Sequence, residues 1–89
     1  MRAIITVAGK DRVGITASVC SLLAQHNINI LDISQTVLNQ YFTMIMIVDI
    51  RELAMPFNDF VDRISALGKK DGLDIHVMHE DIFNSMHRI

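Results

Sequence analysis

Gly9-Lys10-Asp11-Arg12-Val13-Gly14-Ile15 is the stretch on which the reading of this 89-residue chain turns. Before it, Arg2 to Ala8 alternates, with Ala3, Ile5 and Val7 on one side and Thr6 on the other, the two-residue period of a strand. After it, Ile15, Val19, Leu22, Leu23 and His26 recur at helical spacing over Gly14 to His26. The quoted run is therefore a charged strand-to-helix junction. Backbone N–H groups at a helix start have no partner within the helix and are free to hold an anion. Gly14, lacking a Cβ, lets a ligand approach the backbone closely and tolerates positive φ.

Working outward, Asn27-Ile28-Asn29 ends the helix and opens an extended segment reaching about Leu38. Its apolar parity shifts between Ile30 and Leu31, which predicts a bulge. Asn39-Gln40-Tyr41 reads as a hairpin turn. Phe42 to Ile50 follows as a strand, with Phe42, Met44, Met46, Val48 and Ile50 on one side and Ile45 and Ile47 on the other. A strand apolar on both faces is covered on both. Helices supply one cover, and a partner subunit is expected to supply the other, with a loop or the C-terminal segment as the alternative.

Pro56 suits the first turn of a second helix, whose stripe is Phe57, Phe60, Val61, Ile64 and Leu67. Asp59 and Asp62 lie toward its positive end, Lys69 and Lys70 toward its negative end, and Gly72 stops it. Leu73, Ile75 and Val77 alternate with Asp74, His76 and Met78 as a fourth strand. Asp81 to His87 adds a short terminal helix with Phe83 and Met86 turned inward. The order βαββαβ is that of an α+β, ferredoxin-like, split βαβ fold. It places four antiparallel strands with both helices on one face, leaves the other face open, and adds a short C-terminal helix. Residues 1–89 read as one domain without linker or low-complexity tract.

A chain this short buries roughly 60–65% of its unfolded surface, so its own core is thin. Yet 51% of the residues are hydrophobic and the mean hydropathy is positive. That surplus favours a further buried surface, most simply a homodimer interface. A net charge of −2, basic residues scattered along the chain and only four Phe and one Tyr provide neither the basic patch nor the stacking platform of a nucleic-acid binder. No run has the length of a membrane span and no signal-peptide core opens the chain. Cys20, the single cysteine, fits a reduced cytoplasmic protein and has no neighbouring activator in sequence.

In chemical terms Asp11 suits an α-ammonium, and the N–H groups around Val13 to Ile15 suit an α-carboxylate. Asn29, both donor and acceptor, is expected to start the second strand beside the same loop. These residues alone leave two readings open: a binding loop for an amino-acid zwitterion, or a capped and solvated connection. His76 and His79 are three apart on a strand and so face opposite ways, and neither metal nor cofactor is expected. His26 reads as a charge–dipole contact at a helix C-terminus and His87 as a tail residue. Met44 and Met46 read as packing, with an adaptable binding surface as the alternative.

Strand, Asp11-Arg12-Val13-Gly14-Ile15, helix, then Asn27-Ile28-Asn29-Ile30 resembles the ACT domain, a small regulatory module of amino-acid metabolism. The likeness covers nearly the whole chain in element order. More closely, the chain resembles the free-standing single-ACT proteins of bacteria and archaea, and the ACT repeats of the glycine-cleavage regulator carry a similar turn. The resemblance implies a ligand at a dimer interface, touched by the first loop and the start of the second strand, as in the serine-sensing domain of phosphoglycerate dehydrogenase. By position these are Asp11, Arg12, Val13, Gly14 and Ile15 in the loop and Asn29 in the strand. Val13 stands where the turn commonly has proline, Gly9 where the serine pattern has histidine, and Asp11 where it has asparagine.

The expected function is thus a non-catalytic cytoplasmic homodimer that binds a small metabolite, an amino acid before others, and passes its state to another protein. Two alternatives differ in class. One is a protein–protein adaptor that uses the open sheet face without a ligand. The other is a small acyl-phosphate hydrolase using Arg12 and Asn29, for which the glycine-rich cradle is missing. A metallochaperone would need a Cys-x-x-Cys, and an RNA-recognition module would need aromatics on its central strands.

Overall fold

Alternation in β1 (Arg2–Lys10) sends Ala3, Ile5 and Val7 to the same side of the sheet as Met44, Met46 and Val48 of β3 (Tyr41–Asp49). All six are fully buried, together with Ile15, Val19 and Leu23 of α1 (Ile15–Gln25) and Phe60 and Ile64 of α2 (Phe57–Asp71). Both helices therefore cover one face. The remaining elements are β2 (Asn29–Leu38), β4 (Asp74–His79) and α3 (Glu80–Met86). All strand pairs are antiparallel, in the order β2-β3-β1-β4, the ferredoxin-like arrangement expected from the sequence. The computed structural model describes residues 1–86, without the side chain of Met86, so the expectations for His87 and for an inward Met86 lie outside the described residues.

The local expectations hold with small shifts. The β2–β3 register slips between Ile30 and Asp32, where the parity change predicted a bulge. Asn39 and Gln40 both take positive φ, 54° and 75°, making a two-residue turn whose twist matches the flanking strands. Tyr41 consequently belongs to β3, opposite Leu38, rather than to the turn. Pro56, at φ −57° and ψ 142°, caps α2 from outside its first turn, and Gly72 ends that helix in the left-handed region. Met44 and Met46 are wholly inside the core, which removes the adaptable-surface reading.

The second face of β3 remains uncovered: Ile45 is 44% exposed, while α3 packs against β1 and β4. β2 is barer still. Every one of its residues except Ile30 is exposed, although the strand is ten residues long.

Candidate functional site

Leaving the sheet at Lys10, the chain is held at once to the neighbouring hairpin, because the Asp11 N–H donates to the Gln40 carbonyl at 2.8 Å. Gly14 then turns the chain into α1 with φ 94° and ψ −1°, a left-handed conformation that strains any residue with a Cβ. The cap supplies no side-chain hydrogen bond, and the first turn holds no acidic residue. The Ser18 N–H donates to the Gly14 carbonyl at 2.9 Å, so the N–H groups of Ile15, Thr16 and Ala17 precede the helical ladder. They give this end of α1 a partial positive charge.

A cleft of about 500 Å³ lies between this helix start and the C-terminal half of β2. Asp11, Arg12, Gly14, Ile15 and Thr16 form one side, and Gln35, Val37 and Phe42 line the other. The Thr16 Oγ1–H donates to Gln35 Oε1 at 3.0 Å and so ties the two sides together. Thr16, Gln35 and Val37 were not anticipated as site residues. Strand parity beyond the bulge carries the missing signal, since it puts Ile33, Gln35 and Val37 on the face that pairs with Met46, Met44 and Phe42.

Four of the sequence-predicted residues, Asp11, Arg12, Gly14 and Ile15, do line the cleft. Arg12 is already engaged: its Nη2 lies 3.3 Å from Asp71 Oδ2 at the end of α2. Val13 is 98% exposed and takes no part in the cleft wall. Asn29 is not beside the loop within this chain. It pairs with Asp49, whereas Lys10 and Leu38 both pair with Tyr41 at the opposite end of the sheet. Nine residue steps of strand separate the two ends of β2, on the order of 30 Å. Asp49 is itself occupied, accepting from the Arg51 backbone N–H at 3.0 Å and from Arg51 Nε at 2.8 Å. Those bonds, the backbone one foremost, hold its carboxyl below the usual range.

The same geometry separates Arg12 from Asn29, so the hydrolase alternative has no shared phosphate position within the chain. The space of a side chain at Gly9 is taken, because a Cβ there would lie 2.8 Å from Leu73 Cδ2 and 3.2 Å from the Gly72 carbonyl oxygen. His76 Nε2 lies 3.0 Å from Asp74 Oδ1, while His79 stacks on Phe57 with ring centroids 4.2 Å apart. Among the described residues no three His, Cys, Asp or Glu side chains are grouped to hold a metal ion. His26 follows α1 as its cap, with its ring edge-on to Phe60 and its Nε2 buried without a hydrogen-bond partner among the described residues. Its setting is therefore an aromatic contact more than a solvated dipole contact.

The family model of the ACT domain matches residues 2–78. This chain belongs to the ACT domain family. It is 51% identical over 89 residues, the whole of both chains, to the UPF0237 protein CPE1496 of Clostridium perfringens. Among solved structures it is similar to an ACT domain protein from Streptococcus pneumoniae, with TM-score 0.82, 41% identity and 93% of each chain covered. A formyltetrahydrofolate deformylase from Pseudomonas syringae matches with TM-score 0.80 and 27% identity, over 88% of this chain but only 27% of the enzyme. A putative glycine cleavage system transcriptional repressor matches with TM-score 0.72 and 28% identity, over 86% of this chain and 44% of its own. Among the described residues of this ACT domain, no helix is long and apolar enough to cross a membrane.

Proposed function

We propose that this ACT domain is a non-catalytic cytoplasmic regulator that binds an amino acid at the seam of a homodimer. The observation that carries the reading is the cleft at the Asp11-to-Ile15 turn, which opens directly beside an unpaired sheet edge. On the helix side, free N–H groups suit the α-carboxylate and Asp11 suits the α-ammonium. At the edge, β2 presents Leu31, Ile33, Val37 at 54% exposure and Leu38 at 75%, with Asp32 as its one charge. Burying half of such a side chain stabilises by about 1 kcal/mol.

Two β2 strands paired antiparallel about a central two-fold axis bring the partner's Asn29 to the Leu38 end of this strand. That is the end where Asp11 meets Gln40. The loop and the asparagine, far apart in one chain, then belong to one composite site. A ligand bound there changes the dimer only by favouring one arrangement over another, and a protein partner reads the arrangement.

Calorimetric titration with a panel of amino acids, paired with sedimentation of the free and liganded protein, tests this. The expected result is a dimer tightened by at least one amino acid at millimolar concentration or below, with binding weakened by Asn29→Ala. No binding to any amino acid at millimolar concentration overturns the ligand, and a monomer at all concentrations overturns the seam. The exposed Tyr41 and Ile45 on the helix-free face support a second reading, an adaptor without a ligand. A dimer indifferent to every amino acid favours that adaptor.

A further inference from the structure

We propose that Gln35 selects the ligand of this ACT domain, admitting amino acids whose side chain carries a hydrogen-bond acceptor. The inference rests on the amino-acid reading of the cleft and adds which side chain the cleft accepts.

The two sides of the cleft differ in what they can distinguish. The turn and helix start meet a carboxylate and an ammonium, which every amino acid has, so that side cannot rank one amino acid above another. Discrimination falls to the β2 side, where Gln35 and Val37 project from the same face of the strand. Gln35 is the one carboxamide among the residues that line it. Its Oε1 accepts from the Thr16 hydroxyl at 3.0 Å, which leaves the NH2 group to donate to an occupant of the cleft.

Thr16 is the second residue of α1, so this amide lies one hydrogen bond from the helix start that anchors the carboxylate. Val37 beside it offers apolar surface to a methylene. A short side chain ending in a hydroxyl, carbonyl or carboxylate oxygen satisfies both groups. An aliphatic side chain of equal size covers the NH2 donors without pairing them and loses affinity accordingly. Gln35 faces the helices, opposite Met44, and not the strand edge, so pairing of β2 with a second copy leaves it in the cleft.

The test is calorimetric titration of the full chain with glycine, serine, asparagine, aspartate, valine and leucine. The unaltered protein is compared with Gln35→Met, close in size without a donor, and with Thr16→Val, which removes the orienting hydroxyl. The unaltered protein is expected to bind asparagine about tenfold more tightly than leucine, the scale of one hydrogen bond left unmade. Gln35→Met should erase or invert that preference while moving glycine affinity less than about twofold, because glycine uses only the anchoring side. Thr16→Val should shrink the preference without inverting it. An asparagine-over-leucine preference that survives Gln35→Met, or an unaltered protein that prefers leucine, overturns the role of Gln35 and leaves the amino-acid site standing. Failure of every amino acid, glycine included, to bind the unaltered protein overturns the cleft reading itself.

Discussion

The two edges of this sheet have been treated in opposite ways. β4 is six residues long, flanked by buried Leu73 and carrying buried Ile75, with α2 and α3 packed against it. Two of its side chains have neighbours, His76 Nε2 lying 3.0 Å from Asp74 Oδ1 and His79 stacking on Phe57. β2 has ten residues, nine of them exposed, no lysine or proline, and as protection only a bulge and the single charge of Asp32. A long apolar edge is a standing invitation to pair with another chain, and proteins normally blunt it with charge, proline or a cover. One edge here is short and packed by helices, and the other is long and exposed. The cleft lies beside the open one.

The closure of β4 depends on two glycines that meet Leu73, and they are the place to break it. A Cβ on Gly68 would sit 2.8 Å from the Leu73 carbonyl oxygen and 3.1 Å from Ile75 Cγ1. The Gly68 carbonyl also accepts from the Leu73 N–H at 2.7 Å, so the backbone there has little freedom to retreat. Gly68→Ala should cost about 2–3 kcal/mol, outweighing the helix propensity that alanine gains. In a chain of this size that lowers Tm by roughly 10–20 °C in a calorimetric scan. Gly9→Ala meets the end of a flexible leucine and a carbonyl oxygen at 3.2 Å, and should cost about 1 kcal/mol. The reverse ranking would show that β4 is held at β1 and not at α2.

At the open edge the sharper measurement is association. Ile33→Lys with Leu38→Lys places two charges on β2, the device natural edge strands use against pairing. Sedimentation should show the Kd of the proposed dimer raised by about a hundredfold or more, which corresponds to roughly 2.7 kcal/mol. His76→Lys, on the closed edge, should leave assembly unchanged. If His76→Lys dissociates the protein and the β2 pair does not, the contrast between the edges has been assigned the wrong way round.

Much of this was legible in the sequence, for identifiable reasons. Ala3, Ile5 and Val7 of β1 and the even-numbered residues of β3 form one buried face, and a one-residue slip in their pairing would expose the whole set. Asp59, Lys69, Lys70 and Gly72 mark the ends of α2 through local electrostatics and backbone freedom. Asn29 was expected to open β2 beside the loop of its own chain, and the length of α1 is why it does not. An 11-residue helix carries the chain about 17 Å away from the loop, so the strand that follows must begin at the far end. For Gln35, parity beyond the bulge gives the face of the strand, but its partner Thr16 is 19 residues away and the pairing of the two depends on the tertiary fold.

The smallest expected effect concerns how α3 is held to the closed edge. Arg2 Nη2 and Glu80 Oε2 lie 2.7 Å apart and join β1 to the first residue of α3, but the arginine side chain is half exposed. A pair in that setting contributes about 0.5 kcal/mol and is screened by salt. Glu80→Gln should therefore lower Tm by no more than about 4 °C at low ionic strength, a difference that fades in high salt. Its value lies in the second readout. If α3 is held by packing against β1 and β4, the variant sediments as the unaltered protein does. Species larger than those of the unaltered protein would mean that one ion pair keeps β4 covered, and that the two edges differ by far less than their burial suggests.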